Sequence, residues 1–189
     1  MRMHFKSRFP ALNVRRLRET FATDTFFSSD KALEGYTCAQ LYAGKISNFT
    51  KIYGMKRAEQ MPKTLQDFIR QWGAPSGLFS DSAILETSKA IKDILRHYSI
   101  KDMQSEPYHQ HQNYAERRIQ EVKSTANIIM DRVGAPNHTW YLCLKYVVTL
   151  LNHLASPSLD NKTPIEVAFG VTPDISNLLQ FYFYQPVFF

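Results

Sequence analysis

Cysteine is scarce in this sequence, which has only Cys38 and Cys143 among its 189 residues. Two cysteines cannot form a disulfide framework, and no C-x-x-C pair is present to begin a zinc module. The six histidines therefore lack the cysteine partners of a Cys/His zinc-binding domain, and no zinc is expected. The scarcity of cysteine fits a reducing, intracellular compartment.

Long apolar runs are also missing. The most apolar stretch, from Trp140 to Ala155, includes Lys145, Asn152 and His153. It is shorter than the roughly 20 apolar residues that a helix needs to cross a bilayer. We therefore expect no membrane span and no membrane partner.

Acidic residues are absent from the first 18 positions. This segment supplies the whole net charge of +6, because the rest of the chain holds equal numbers of basic and acidic side chains. Its basic residues are Arg2, Lys6, Arg8, Arg15, Arg16 and Arg18. The pattern predicts a basic arm, residues 1–18, that binds a polyanion such as nucleic acid. A solvated tail and a targeting peptide are the alternatives.

Aromatic and β-branched residues dominate the segments that follow the arm. They predict strands at 19–27, 36–44, 49–55, 78–82 and 101–107. Apolar residues at helical spacing predict helices at 58–72, around 91–98, at 113–133 and at 138–155. The last of these is apolar nearly all round, so it is buried or lies in an interface. Beyond Pro157 we expect irregular chain, ending in FYFYQPVFF, which is typical of a truncated strand. Three strands in a meander followed by alternating helices and strands predict an α/β fold with a mixed sheet.

Three acids occupy special places in this scheme. Asp24 lies in the middle of the first strand, where a half-buried carboxylate needs a partner or a metal ion, although a surface-facing strand acid is an alternative. Asp81 comes at the end of a short buried strand, where it either binds a ligand or closes an Asx-turn. Glu116 comes three residues after Asn113. If Asn113 is the N-cap of the helix, Glu116 occupies the capping-box position, where a glutamate is expected for purely local reasons.

Together these acids are typical of a carboxylate cage for divalent metal ions. Mg²⁺ prefers oxygen ligands, and two such ions about 4 Å apart can support an in-line phosphoryl displacement. Gln120, Lys123 and Asn127 share a helix face with Glu116, so Lys123 is well placed to bind a DNA phosphate. A solvated helix face would explain this polarity equally well, but it would not explain Asp24 and Asp81.

The set of Asp24, SDS at 80–82 and QSEPYHQHQNYAERRIQEVKS at 104–124 resembles the catalytic core of integrases from copia-type LTR retrotransposons. Glu116 follows Asp81 by 35 residues, within a residue of the spacing typical of the D,D,E group. TPIEVAFG at 163–170 resembles the T-P-x-E-x-x-x-G element found downstream in copia-type polyproteins, and TPDISNLL at 172–179 is similar to that family as well.

The resemblance implies an RNase H-like fold: a five-stranded mixed sheet with helices on both faces. It implies that Asp24, Asp81 and Glu116 are the catalytic, metal-binding residues and hold two Mg²⁺ or Mn²⁺ ions. It further implies 3′ processing of a cDNA end and its transfer into target DNA, in the nucleus, by a homo-oligomer. Gln112 and Lys123 would contact the DNA end, with further DNA contacts expected from Arg117, Arg15, Arg16 and Arg18.

Three regions follow from these observations: the basic arm at 1–18, the catalytic core at 19–170 and a truncated C-terminal extension at 171–189. Two other functions stay open. One is an inactive transposon remnant that binds nucleic acid or self-associates through the 138–155 helix. The other is an RNase H-like nuclease acting on RNA–DNA hybrids.

Overall fold

A mixed sheet of five strands forms the centre of the molecule. The computed structural model describes residues 8–80, 89–104 and 114–186. The strands are β1 (Thr20–Phe27), β2 (Cys38–Gly44), β3 (Thr50–Met55), β4 (Gly77–Ser80) and β5 (Lys101–Gln104). Their order across the sheet is β3-β2-β1-β4-β5. The first three pair antiparallel, and β4 and β5 continue the sheet in parallel with β1. The predicted α/β fold is confirmed.

Helices cover both faces of this sheet. They are α1 (Met61–Trp72), α2 (Lys89–His97), α3 (Tyr114–Val133), α4 (Trp140–His153), α5 (Pro164–Phe169) and α6 (Ser176–Gln180). The first four match the predicted helices, since each carries an apolar stripe at helical spacing. No helix in the described ranges combines the length and the apolar character needed to cross a bilayer.

The alternation of side chains along the strands creates two hydrophobic clusters. Phe21 and Tyr42 point to one face, where they pack with α1 and α2 through residues such as Leu65 and Ile91. Phe26 and its neighbours point to the other face and pack with α3 and α4. Successive strand residues point to opposite faces of the sheet, so alternate residues of a strand pack against different pairs of helices.

Helix α4 closes the β3 edge of the sheet. The Asn152 side chain accepts a hydrogen bond from the Thr50 N–H (2.9 Å) and donates one to the Thr50 carbonyl (2.7 Å). The Tyr141 hydroxyl accepts a hydrogen bond from the Gly54 N–H at 2.8 Å. These outward-facing backbone groups of an edge strand would otherwise be available to another chain.

The prediction of irregular chain after Pro157 is wrong for two segments, α5 and α6. Helix α5 begins at a complete capping box, in which Thr163 and Glu166 each bond the other's backbone N–H. It ends at Gly170, whose φ of 70° is in the left-handed region that favours glycine. Local caps thus stabilise a helix too short to show a helical period.

The predicted terminal strand is also wrong for residues 181–186, which contain no strand. Phe183 instead packs against the ring of Tyr146 on α4, with 5.7 Å between the ring centroids. An apolar contact with a helix takes the place of strand pairing there.

Candidate active site on strand β1 and helix α3

Asp24 lies in β1 on the side of the sheet that α3 covers. It is paired with Leu41 of β2, which is buried in the cluster beneath α3 and α4. Directly opposed residues of an antiparallel pair share a face, so Asp24 also points to that side. Its carboxylate is half-buried and accepts a hydrogen bond from the Thr25 N–H at 2.7 Å.

Helix α3 lies across this face, and its two flanks contact different strands. Its buried stripe of Ala115, Ile119, Val122 and Ala126 rests on the sheet. On one flank, the Lys123 ammonium lies 5.3 Å from the ring centroid of Phe26 in β1. On the other flank, Arg118 donates to the Thr50 hydroxyl of β3 at 2.9 Å. The helix therefore turns its Lys123 flank towards the strand that carries Asp24.

Glu116 belongs to the Lys123 flank. The two residues are seven apart, close to two helical turns, so they share one side of the helix. Glu116 is exposed in the first turn of α3. The structure thus brings Asp24 and Glu116 to the same side of the sheet, on elements that pack against each other.

The other predicted members of the site, Asp81 and Gln112, lie outside the described residues, as does Asn113, the expected cap of α3. Among the residues that the structure describes, no group of three His, Cys, Asp or Glu side chains could hold a metal ion. Only two of the three predicted acids are in that range. A half-buried carboxylate and an exposed one on the facing helix supply the oxygen ligands that Mg²⁺ and Mn²⁺ prefer.

The arginines assigned to the arm are partly built into the fold. Arg16 forms a parallel bridge with Ala74 and donates a side-chain hydrogen bond to the Tyr98 carbonyl. The Arg15 guanidinium stacks over the Phe169 ring of α5, 4.7 Å from its centroid. Arg18 is exposed and borders, with the other two, a depression of about 480 Å³. Arg15 and Arg16 are exposed as well, so all three side chains reach solvent at this depression.

Arg117 and Arg118 differ despite being neighbours in sequence. Arg117 is exposed and lines a depression of about 370 Å³ together with Tyr114, Ser156 and Ser158. The Arg118 side chain is only 14% exposed and is paired with Glu121 at 2.7 Å. The predicted DNA contact at Arg117 is compatible with this exposure, whereas Arg118 joins α3 to the β2–β3 turn.

Sequence reasoning missed Glu19, a buried acid one position before β1. Its carboxylate accepts hydrogen bonds from the backbone N–H groups of Ile46 (2.7 Å) and Ser47 (2.9 Å) and from the Ser47 hydroxyl (2.5 Å). It thereby fixes the turn between β2 and β3 to the start of β1. An acid directly before a strand was the only local sign of this role, and its partners could not be read from the sequence.

Comparisons with known proteins bear on the fold and on what the chain resembles. No family model matches the chain. Two curated relatives are the retrovirus-related Pol polyproteins from transposons RE1 and RE2 of Arabidopsis thaliana. They are 22% identical over 176 residues and 21% identical over 169 residues. These matches cover 90% and 86% of this chain, which spans only 12% of the length of each relative.

Solved structures of retroviral integrases resemble the chain in fold. A chain of the simian T-cell lymphotropic virus intasome in complex with the PP2A regulatory subunit B56 gamma covers 93% of this chain and 64% of its own length, with a TM-score of 0.64 and 18% identity. The HTLV-2 integrase catalytic core domain in complex with magnesium matches with a TM-score of 0.61 and 17% identity, over 80% of this chain and 97% of its own. The catalytic core of BIV integrase matches with a TM-score of 0.62 and 15% identity, over 80% of this chain and 94% of its own.

The predicted RNase H-like fold is therefore confirmed. The predicted resemblance to an integrase core within a retrotransposon polyprotein is confirmed as well, since the curated relatives are transposon Pol polyproteins and the matched folds are integrase cores.

Proposed function

We propose that this chain, which has the fold of integrase catalytic cores and resembles transposon Pol polyproteins, is the catalytic core of a copia-type integrase. Its reactions would be metal-dependent 3′ processing of a cDNA end and transfer of that end into target DNA. One observation carries the proposal: Asp24 on β1 and Glu116 on α3 lie on the same side of the sheet, on two elements that pack against each other, as two members of a D,D,E set must.

Asp81 completes the set in this proposal. The parallel pairing of β1 with β4 reaches Ala22 and Phe79. Asp81 directly follows the last residue of β4 in the sequence, and α/β sheets place their ligands at the carboxyl ends of their strands.

The three carboxylates would hold two Mg²⁺ or Mn²⁺ ions, and the likeness to an HTLV-2 core solved with magnesium supports this choice of metal. Such ions lower the pKa of a bound water or hydroxyl and stabilise the leaving oxygen of a phosphodiester. Asp24 is half-buried and its carboxylate is held by the Thr25 N–H, which orients one ligand before the ion arrives.

DNA would be held by the basic side chains around this site. Lys123 lies on the same flank of α3 as Glu116, so a phosphate that it binds is close to the carboxylates. Gln112, Arg117 and Arg18 would extend the contact along the backbone of the cDNA end or target, with smaller contributions from the stacked Arg15 and the bonded Arg16. Chromosomal DNA as the target implies action in the nucleus.

A homo-oligomer is part of the proposal. Large apolar side chains are exposed in the segment after α5, including Leu179 (77%), Val171 (60%) and Tyr182 (57%). Exposed apolar side chains that adjoin one another mark association surfaces, and we assign this segment such a role in the proposal. The same surface favours the second candidate, an inactive remnant that self-associates and binds nucleic acid without catalysis.

A disintegration assay on branched DNA, run in Mn²⁺ and in Mg²⁺, separates the two candidates. Glu116→Gln should abolish the joining that the wild-type chain performs. Asp131→Asn is the matched control, because it removes an exposed acid of the same helix about 22 Å further along. Joining that survives Glu116→Gln would remove this residue from the site, and a folded wild-type chain that joins nothing would favour the remnant.

A further inference from the structure

Tyr114, the first residue of α3, connects that helix to β1. Its hydroxyl donates a hydrogen bond to the carbonyl of Thr20, the first residue of β1, at 3.1 Å. Its ring packs against the cluster beneath α3 and α4. The contact joins residues 94 positions apart in sequence, so it fixes the placement of two separate elements.

The Thr20 carbonyl has a second donor, which limits what loss of the tyrosine hydroxyl would do to folding. The Lys45 N–H also donates to this oxygen, at 3.0 Å. A carbonyl oxygen has two lone pairs, so it keeps one partner when the other is removed. A tyrosine hydroxyl is protonated at neutral pH, so it can donate to this carbonyl.

Both joined elements carry acids of the proposed site. Glu116 is two residues after Tyr114 on α3, and Asp24 is four residues after Thr20 on β1. Sideways movement of α3 is limited by Arg118, which reaches the Thr50 hydroxyl and the Asn48 carbonyl. The tyrosine bond acts along a different direction, because it ties the first turn of the helix to the start of the strand.

We propose that Tyr114 is a positioning residue, whose hydroxyl bond to Thr20 sets the separation between the Glu116 and Asp24 carboxylates for metal binding. The inference rests on the proposed function of these two acids. Groups that orient metal ligands without touching the ion change metal affinity about 10–100-fold when they are removed. Tyr114→Phe removes the bond and keeps the packed ring.

Tyr141→Phe provides the matched control. Tyr141 is packed in the same cluster, and its hydroxyl also bonds a backbone group, the Gly54 N–H at 2.8 Å. That bond lies at the β3 edge, on an element that carries none of the proposed acids. Its loss leaves a backbone N–H without its partner, so it lowers stability at least as much as Tyr114→Phe does. Any difference in metal affinity between the two variants is then independent of stability.

The experiment is a Mn²⁺ titration of the full 189-residue chain, with free Mn²⁺ measured by electron paramagnetic resonance and melting temperature measured in parallel. Wild type, Glu116→Gln, Tyr114→Phe and Tyr141→Phe are compared. We expect about a tenfold weaker Mn²⁺ affinity for Tyr114→Phe and an unchanged affinity for Tyr141→Phe.

Equal affinity for wild type and Tyr114→Phe would overturn the positioning role, and so would an equal loss in both tyrosine variants. The proposed function is tested separately by Glu116→Gln. If that variant binds Mn²⁺ as wild type does, the acid does not ligate the ion and both conclusions fall. If it loses binding while Tyr114→Phe does not, only the positioning role is refuted.

Discussion

Replacing Asn152 with leucine tests how α4 closes the sheet. The side chain of Asn152 is 1% exposed and holds both the N–H and the carbonyl of Thr50, the first residue of β3. Leucine has a similar volume and suits the apolar surroundings, but it offers neither a donor nor an acceptor. The substitution therefore removes two hydrogen bonds without opening a cavity.

The cost follows from the backbone groups left behind. A buried polar group without a partner destabilises a protein by about 1–3 kcal/mol, and two such groups remain on Thr50. Allowing for the apolar contacts that leucine gains, we expect a loss of about 3 kcal/mol in the free energy of unfolding. In a domain of this size, that corresponds to a fall of about 6–12 °C in melting temperature.

Asn152→Asp adds a pH readout to the same site. Above its pKa, the aspartate turns a buried negative charge towards the Thr50 carbonyl. Once protonated, it offers one donor and one acceptor, as asparagine does. Its pKa in the folded state is therefore raised, and the stability of this variant should recover as pH falls, whereas Asn152→Leu should not recover.

Urea unfolding followed by far-UV circular dichroism, at neutral and at mildly acidic pH, measures both effects relative to wild type at each pH. Asn127→Leu is the control, because Asn127 is exposed on α3 and its replacement should change stability by less than about 0.5 kcal/mol. If Asn152→Leu loses no more unfolding free energy than the control does, the conclusion that the Asn152 amide stabilises the β3 edge is refuted.

Three further predictions concern charged side chains. The Glu166 carboxylate accepts hydrogen bonds from the Thr163 N–H at the helix N-cap and from the Thr172 hydroxyl, and these bonds lower the pKa of Glu166. The stability that this carboxylate contributes is therefore present above the pKa of a glutamate in the unfolded chain. It is lost as pH falls through the lowered pKa of the folded state. Carbon-13 NMR should find its titration midpoint below that of an ordinary glutamate, and Thr172→Val should move it upward; an ordinary midpoint in wild type would contradict the cap. Arg118→Ala should destabilise the fold by about 1–3 kcal/mol, whereas Arg117→Ala should leave melting temperature unchanged and weaken DNA binding; similar melting losses in both variants would contradict the distinction. Lys123→Ala should reduce the slope of log affinity for DNA against log salt by about 1, and an unchanged slope would rule out its phosphate contact.

The strand meander was predictable from its aromatic and β-branched residues, and the four longer helices were predictable from the helical spacing of their apolar residues. Helix α3 begins at Tyr114 and ends at Val133, against a predicted range of 113–133. Strands β2 and β3 likewise match the predicted segments to within two residues. Helix α3 buries one side, which is what a helical period of apolar residues reports. Every residue of β2 is buried, so its composition rather than a period marked it as a strand.

Helix α5 was visible in the sequence by another signal. The N-cap is Thr163, a proline follows it in the first turn, and Glu166 completes the capping box. Gly170 ends the helix. These residues were interpreted only as part of a family element. Six residues are too few for a period, so the caps were the sole physical evidence for a helix there.

The side chains that join separate elements of the fold were not predictable, because their partners are distant in sequence. Glu19 reaches Ile46 across 27 positions, Tyr114 reaches Thr20 across 94, and Asn152 reaches Thr50 across 102. Local sequence patterns predict the secondary structure in which a residue lies. These hydrogen bonds depend instead on which elements become neighbours after folding. Arg16 shows the same limit, since its bond to Tyr98 was hidden in a segment predicted to be an arm.

Because helix α5 is capped by residues of the TPIEVAFG segment itself, that segment indicates which selection has acted on a sequence. Phe169 packs on Phe49 and Trp72, so the TPIEVAFG segment serves folding. Glu116 is exposed, so a gene copy no longer selected for the proposed DNA joining would be expected to lose this acid with the fold intact. Selection for a folded product would still retain Thr163 and Gly170. Under the proposed function, an intact α5 signature would therefore record selection on folding, whereas Glu116 would record selection on chemistry.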